Sequence, residues 1–305
     1  MKRLIFAFLA LLCVLSLSAQ ELTVATINVR LFSWRDGQRY DGWQHRGGYI
    51  CDLAKAQRFD VFGAQEVKIK QIETLREQLS DYDYIGVGRD DGKEAGEFCP
   101  VFYRRSRLKM LDGGTFWLSD TPDEVSRGWD GMCNRICSWG YFQDRATKAK
   151  FYFLNTHLDN KGVVAKTKGV ELILKFIEEK CKGAQVVVTG DMNVNQDSEW
   201  YNLFLSSGVL KDSYEATPIR FAPSGTFSSF TPTRYSTNRI DHIFVSKSVG
   251  VASYSVMTLH YWRATDEEIE AGKRNYANIE NRPVHLLSDH YPVQVKVWLK
   301  GAKRW

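Results

Sequence analysis

The run Gly190-Asp191-Met192-Asn193 constrains this chain more than any other stretch of its sequence. The residues before it, Gln-Val-Val-Val-Thr, are mostly apolar and β-branched, and they predict a short buried strand over 185–189. A glycine turn then leaves Asp191 and Asn193 at the carboxyl end of that strand, with one residue between them. A carboxylate and a carboxamide fixed in this way can both reach one small polar centre. The sequence therefore predicts a polar site beside Asp191.

Polar side chains also end most of the other predicted strands. They are Asn28, Glu66, His157, Asp241 and the pair Asp289-His290. Strand ends are where loops open and where binding sites are commonly built. Because an Asn or Asp after a strand is usually a turn former, each of these residues says little by itself. Their joint occurrence carries the inference.

The order of predicted elements indicates an α/β protein with mixed or antiparallel strand pairing. At 305 residues, with 44% hydrophobic and 25% charged side chains, the chain has the composition of an ordinary globular protein with a substantial core. Helical spacing predicts helices over 49–57, 70–79 and 169–180, and Ser198 is a candidate helix cap. The aromatic-rich stretches 31–43 and 112–139 are expected to be loops. Strands and helices do not alternate regularly, which argues against a simple parallel barrel.

The N-terminus has the pattern of a secretory signal. Lys2 and Arg3 precede an apolar run over 4–17, and the small residues Ser18 and Ala19 follow. We expect residues 1–19 to be a signal peptide and residues 20–305 to form one catalytic domain, exported to the periplasm or secreted. An uncleaved membrane anchor is the alternative, and no second apolar stretch is long enough to cross a bilayer.

Removing residues 1–19 lowers the formal net charge from +5 to +3, because Lys2 and Arg3 leave with the signal. This weakly basic balance is compatible with an anionic substrate and does not require nucleic acid. Five cysteines remain, none with zinc-type paired spacing: Cys51, Cys99, Cys133, Cys137 and Cys181. Export would permit a disulfide, but we expect most of them to be buried free thiols.

Six short segments together resemble the endonuclease/exonuclease/phosphatase superfamily of metal-dependent phosphoesterases, which includes deoxyribonuclease-I-like nucleases. They are Thr26-Ile27-Asn28-Val29-Arg30, Gln65-Glu66-Val67, Asn155-Thr156-His157-Leu158, Gly190-Asp191-Met192-Asn193, Arg239-Ile240-Asp241-His242 and Ser288-Asp289-His290-Tyr291-Pro292. The resemblance covers nearly all of the predicted catalytic domain. It implies a four-layer α/β/β/α sandwich of two packed mixed sheets flanked by helices, with the site at one edge of the sheets.

The chemistry of phosphoester cleavage, supported by this resemblance, gives each residue an expected role. Glu66 would bind Mg²⁺, with Mn²⁺ as an alternative, and Asn28 and Asp289 would support the ion directly or through water. Asp191 would accept the proton of the attacking water, and Asn193 would orient that water or hold a phosphate oxygen. His290, held charged by Asp241, would donate to a phosphate oxygen, and His157 would do the same with Glu97 as its expected partner. His242 should point to the opposite face of its strand.

The substrate is less constrained than the chemistry. Arg30, expected on the same strand face as Asn28, and Arg135 are candidate phosphate contacts, and Arg30 disfavours an abasic-site endonuclease, which the resemblance associates with an acidic residue there. Trp43 is a candidate substrate contact in a Trp-x-x-Arg element. The leading expectation is an exported hydrolase of a small or membrane-derived phosphoester, with no stable protein partner. A secreted nuclease and a catalytically silent binding protein are the alternatives.

Overall fold

The computed structural model describes residues 21–37, 41–263 and 284–301. The predicted signal, 1–19, lies outside the described residues. In chain order the strands are β1 (Glu21–Asn28), β2 (Val61–Gln65), β3 (Tyr82–Ile85), β4 (Val101–Arg104), β5 (Leu108–Trp117), β6 (Ile136–Asp144), β7 (Lys150–His157), β8 (Gln185–Asp191), β9 (Leu210–Asp212), β10 (Arg220–Phe221), β11 (Asp241–Ser246), β12 (Gly250–Val256), β13 (His260–Trp262), β14 (Val284–Leu286) and β15 (Val293–Trp298). The helices are α1 (Trp34–Gly37), α2 (Trp43–Ala56), α3 (Ile69–Gln78), α4 (Val163–Glu179) and α5 (Glu199–Ser206).

Two mixed sheets form the centre of the molecule. The first has the strand order β10-β12-β15-β1-β2-β4-β3, and the second has the order β5-β6-β7-β8-β11-β9. In each sheet one central pair is parallel, β1 with β2 and β7 with β8. Parallel neighbours end at the same edge of a sheet, so the chain segments after these four strands emerge together.

Three apolar cores separate four layers. Side chains such as Val24, Phe153 and Val295 fill the space between the sheets. On the first sheet, Ile50 and Ile72 pack helices α2 and α3 against Phe62, and on the second sheet α4 and α5 cover an equivalent core. Each sheet therefore buries both faces, which explains why its central strands are almost continuously apolar. The expected α/β/β/α sandwich is confirmed.

Most predicted elements are present, and the differences have local causes. Helix α2 begins at Trp43 rather than at Tyr49, because Gly47 packs its backbone against the Trp43 ring, where a Cβ would lie 2.7 Å from ring carbon. The stretch 112–139 was expected to carry loops, but β5 and β6 occupy its two ends, 112–117 and 136–139, and the two strands pair along their length. A register shift between Met110 and Asp112 interrupts the alternation of apolar and polar side chains that would otherwise have indicated strand β5 in the sequence. Helix α5 follows its predicted cap, with the Ser198 hydroxyl accepting from Tyr201 N.

The cysteines agree with the sequence-based expectation. All five described cysteines are free thiols, and four of them are buried. Within the described ranges, none of the helices is both long and apolar enough to cross a lipid bilayer.

Candidate active site

Strand register brings the predicted polar residues to one edge of the sandwich. In the second sheet His157 lies opposite Asp191, and Asp191 lies opposite Asp241, so three ionisable residues form a row across β7, β8 and β11. In the first sheet Asn28 lies opposite Gln65, which places Glu66 just beyond the same edge. Contacts between β1 and β8 bring the two groups together.

Asn28 connects the two sheets at the site. Its Nδ2 donates to Glu66 Oε1 at 3.1 Å and to Asp191 Oδ2 at 2.9 Å, while its Oδ1 accepts from Arg30 N at 2.9 Å. Both partners of the amide nitrogen are carboxylates, one directly after β2 and the other at the end of β8. Asn28 therefore fixes the separation of Glu66 and Asp191, as a fully buried hydrogen-bonded side chain can.

Glu66 and Asn193 have backbone conformations that residues other than glycine seldom adopt. Glu66 has φ +62° and Asn193 has φ +52°. A left-handed conformation costs a non-glycine residue about 1–3 kcal/mol and persists where surrounding contacts hold it. Glu66 Oε2 accepts from Leu31 N at 3.0 Å, and Asn193 N donates to Asp191 Oδ1 at 2.9 Å. These bonds hold both side chains toward the site.

Gly190 is required by a close approach of two backbones. A Cβ at this position would lie 2.1 Å from the carbonyl oxygen of Thr156 on the neighbouring strand. Any other residue would push β8 away from β7 and move Asp191 relative to His157. This is the physical reason for a glycine immediately before Asp191.

Asp191 carries a carboxylate that is difficult to ionise. Burial raises its pKa to about 7, the charge of Asp241 adds to the effect, and His290 opposes it. Its Oδ2 lies 3.5 Å from His157 Nε2 and 3.7 Å from His290 Nε2. A carboxylate with a pKa near neutrality is well suited to accept a proton from water at physiological pH.

His290 is held as a cation by its neighbours. Its Nδ1 donates to Asp241 Oδ2 at 2.9 Å. Burial alone would lower the pKa of His290, but the charges of Asp241 and Asp191 outweigh burial and raise it well above the usual range. The Nε2 of the imidazolium faces Asp191, with Oδ2 3.7 Å away.

His157 differs from the expectation, because its ring is neutral. Burial and the charge of Arg135 lower its pKa well below the usual value. Asn193 Nδ2 lies 2.8 Å from His157 Nε2. His157 Nδ1 has no hydrogen-bond partner in the described part of the chain. His157 can therefore hold or donate one proton but does not provide a positive charge.

The expected pairing of Glu97 with His157 is wrong. Arg89 Nη1 and Nη2 donate to the two carboxylate oxygens of Glu97 at 2.8 and 3.1 Å. The two residues face each other across one loop, where Arg89 N also donates to Glu97 O. A bidentate guanidinium–carboxylate pair satisfies Glu97 locally, so this carboxylate orders the loop next to the site instead of orienting the histidine.

Asp289 and Arg30 lie on the Glu66 side of the site. Burial raises the pKa of Asp289, and the negative charge of Glu66 raises it further, whereas His290 opposes both. Arg30 Nη1 lies 3.7 Å from Asp289 Oδ2, and Arg30 Nε donates to Asp36 Oδ2 at 3.0 Å. Arg30 does not continue the strand face of Asn28 as expected, because β1 ends at Asn28 and Arg30 has φ +57°.

Arg135 lies on the other side, beside His157. Its Nε is 3.5 Å from Asp159 Oδ2, and the residue is 8% exposed. Neither Nε nor Nη1 has a hydrogen-bond partner in the portion of the chain that the structure describes. A buried guanidinium with free donors is costly unless an anion completes its hydrogen bonds. The position fits a phosphate contact.

Trp43 does not line the site. Its side chain is buried in the core between the first sheet and helices α2 and α3, and its Nε1 donates to Thr74 Oγ1 at 3.2 Å. The reason is that α2 begins at Trp43, which turns the ring inward instead of leaving it in a loop. Arg46, one turn later, is also fully buried and donates to the carbonyl oxygens of Val29 and Leu287.

The donor set fits a hard divalent cation. Glu66, His157 and Asp191 each offer one possible ligand atom, and these three atoms lie within 4.8 Å of one another. With Asp289, three carboxylates face one small region, where the pKa of both Asp191 and Asp289 is raised. Oxygen ligands of this kind suit Mg²⁺ or Mn²⁺. Glu66 and Asp289 would bind such an ion, and Asn28, whose amide oxygen faces Arg30 N, would position them.

Several supporting residues were missed by sequence reasoning. The Ser288 hydroxyl donates to Asn28 O at 2.6 Å and joins the Asp289 loop to β1. The Thr226 hydroxyl accepts from Asp241 N at 3.1 Å, and Thr226 O accepts from Tyr291 N at 2.7 Å. Ser288 stands inside a recognised motif, but Thr226 lies in a loop-rich stretch without any spacing signal.

Comparison with known proteins matches this geometry to one family. The sequence model described as Endonuclease/Exonuclease/phosphatase family matches residues 25–290. A crystal structure of an endonuclease/exonuclease/phosphatase family protein from Bacteroides thetaiotaomicron is 40% identical with a TM-score of 0.85, covering 92% of this chain and 98% of that chain. A mannosyl-6-phosphatase from Bacteroides thetaiotaomicron VPI-5482 is 41% identical with a TM-score of 0.84, covering 90% of this chain and 99% of that chain.

One curated relative is more distant. An uncharacterized protein of Acanthamoeba polyphaga mimivirus is 27% identical over 161 residues, which is 50% of this chain. The match spans 60% of the length of that viral protein.

Proposed function

Because this chain belongs to the endonuclease/exonuclease/phosphatase family and is a hydrolase of phosphoester bonds, we propose that it is an exported, Mg²⁺-dependent phosphatase acting on a phosphorylated sugar. The observation that carries the proposal is the convergence of Glu66, His157 and Asp191, with ligand atoms within 4.8 Å of one another. The sugar is inferred from the mannosyl-6-phosphatase, which is 41% identical over 90% of this chain.

The residues of the site divide the work of phosphoester hydrolysis between them. A bound Mg²⁺ would neutralise charge on the phosphate oxygens and lower the pKa of water. Asp191, whose pKa is raised to about 7, accepts the proton of the attacking water. Asn193 positions that water through an amide already oriented by a bond to Leu158 O at 2.9 Å. His290 donates from Nε2 to a non-bridging phosphate oxygen, where negative charge accumulates.

Arg135 supports an anionic substrate on the His157 side. Its Nη1, which has no hydrogen-bond partner among the described residues, would donate to the phosphate, and its charge adds to burial in lowering the pKa of His157. Arg30 is less available, because Asp36 accepts from its Nε at 3.0 Å. The proposed phosphate position therefore lies between Arg135 and His290, over Asp191.

Phosphate release from a panel of substrates tests the proposed activity. We expect turnover of mannose 6-phosphate and p-nitrophenyl phosphate in Mg²⁺, loss of at least about 100-fold in excess EDTA, and recovery on adding Mg²⁺ or Mn²⁺. Bis(p-nitrophenyl) phosphate, sphingomyelin and single-stranded DNA are the comparison substrates. Full activity in excess chelator would contradict the proposed metal dependence. Degradation of DNA alone would favour a nuclease. No turnover of any substrate would favour a catalytically silent binding protein.

Export is a separate part of the proposal and is supported by the sequence of residues 1–19. The full chain produced in a Gram-negative host is expected to accumulate outside the cytoplasm, with an N-terminus at Gln20. Intact-mass measurement and cell fractionation check this. A protein that keeps Met1 and stays in the cytoplasmic fraction would rule out the signal.

A further inference from the structure

A cavity of about 360 Å³ is formed by residues that are close in sequence to Asn193 and Asp241 of the candidate active site. Its lining includes Gln196, Tyr214, Glu215, Tyr235, Thr237 and Arg239. Its volume falls in the usual range of small-molecule sites, about 300–1,000 Å³. None of the roles derived above uses it.

Short chain connections join this cavity to the catalytic residues. Gln196 is three residues after Asn193, and Arg239 is two residues before Asp241. Since an extended chain advances at most about 3.6 Å per residue, both lie within about 11 Å of those residues. Gln196 also closes the wall of the cavity, because its Oε1 accepts from Arg239 N at 2.9 Å and its Nε2 donates to Thr237 O at 3.1 Å.

The loop that carries Tyr235 also contacts His290. The ring of Phe227 meets the His290 ring edge-on, with centroids 5.0 Å apart, and the guanidinium of Arg234 lies 5.1 Å from the Phe227 centroid. Tyr235 follows Arg234 directly and is 73% exposed. The exposed Tyr235 ring therefore belongs to the cavity lining, and it is one residue from Arg234, which lies over the Phe227 ring that contacts His290.

The charges in the cavity do not favour a phosphate group. Arg239 is neutralised by Asp212, to which its Nη1 donates at 2.8 Å, and its guanidinium stacks 4.0 Å from the Tyr214 ring as a rigid floor. Glu215 pairs with Arg220 Nη2 at 3.7 Å, so both charged side chains of the cavity lining, Arg239 and Glu215, have ionic partners. The lining therefore offers no unpaired cation to a second phosphate. A neutral sugar can hydrogen-bond to the hydroxyl and carbonyl groups of the lining and stack on an aromatic ring.

On the basis of the proposed phosphatase function, we infer that this cavity is a subsite for the sugar unit next to the phosphorylated one. The phosphate would lie over Asp191, and the rest of an oligosaccharide would extend past His290 and stack on Tyr235. The enzyme would then prefer a phosphorylated oligosaccharide over a free sugar phosphate. No bond is made or broken in the subsite, so its contribution is to binding and orientation.

Kinetics on three substrates test this subsite: p-nitrophenyl phosphate, mannose 6-phosphate and an α-mannotriose phosphorylated at one 6-hydroxyl. We expect kcat/KM for the trisaccharide phosphate to exceed that for mannose 6-phosphate by about tenfold, the size of one stacking contact. In Tyr235→Ala and in Thr237→Trp, which fills the cavity, the ratio should fall to about one. Tyr235→Phe keeps the ring and serves as the matched control, which should retain the preference.

The outcomes separate this inference from the proposed function. Turnover of mannose 6-phosphate without any preference for the trisaccharide would overturn the subsite and leave the phosphatase proposal standing. Equal loss on all three substrates in Tyr235→Ala and Thr237→Trp would also overturn it, because the variants would then act through the fold. A preference that appears for an oligonucleotide 5′-phosphate and not for the trisaccharide would assign the cavity to a nucleobase.

Discussion

Asp191→Asn is expected to lower kcat/KM for phosphate release about 10³-fold or more. The variant keeps the size of the side chain but removes the only group of the site whose pKa, raised to about 7, suits it to take a proton from water. General base catalysis alone contributes about 10²–10⁴-fold, and the carboxylate also contributes charge beside the proposed cation. Steady-state kinetics at saturating Mg²⁺ measure the loss.

Folding must be shown to survive the change for this result to be informative. Asp191 Oδ2 accepts from Asn28 Nδ2, so an amide at position 191 leaves one donor less well satisfied. The loss of a buried charge offsets part of that cost, and we expect the free energy of unfolding to change by less than about 2 kcal/mol. Asp112→Asn is the matched control. Asp112 lies on β5, outside the candidate site, and its exposed carboxylate pairs with Lys180.

The pH dependence of the native enzyme tests whether Asp191 is the base. A base is active only when deprotonated, so kcat/KM should rise with pH through the pKa of Asp191 and then level off. Burial sets this pKa at about 7 in the protein alone, and a bound cation favours the carboxylate and moves the acidic limb to lower pH. The limb should disappear in Asp191→Asn. Persistence of the same limb in an active Asp191→Asn variant would assign it to another group.

The position of the site was predictable because it depends on strand ends. Apolar strands that terminate at Asn28, His157 and Asp191 must release those residues at a sheet edge, and parallel pairing places neighbouring ends together. The order of motifs then sufficed to indicate the family and its sandwich, without knowledge of which strand paired with which.

The partners of the site residues were less predictable, because loop geometry decides them. The motifs that contain Glu97 and His157 suggest that the two side chains form a hydrogen-bonded pair. Instead, Arg89, eight residues before Glu97 on the same loop, donates to the Glu97 carboxylate. Trp43 was expected in a loop at the site, but the helix begins six residues earlier than its apolar spacing indicates, and the ring enters the core. Neither outcome depends on a local sequence pattern.

His290→Gln is expected to lower kcat/KM about 10²–10³-fold, the usual effect of removing one donor to the charge of a transition state. Asp241→Asn should lower it less, about 10- to 100-fold, in the range of coupling energies within one hydrogen-bond network. Asp241 contacts His290 Nδ1 at 2.9 Å and acts through it. The double variant should therefore be no slower than His290→Gln alone.

A multiplicative loss in the double variant would show that Asp241 has a role of its own. The candidate atom would be its buried Oδ1, which has no hydrogen-bond partner among the residues that the structure describes. His260→Gln is the matched control, because His260 is exposed on β13. The pH profile gives a second test of the same contact. The charge of Asp241 raises the pKa of His290, so in Asp241→Asn the histidine should lose its proton at lower pH. The basic limb of kcat/KM should then move toward neutrality, which a defect in folding alone would not produce.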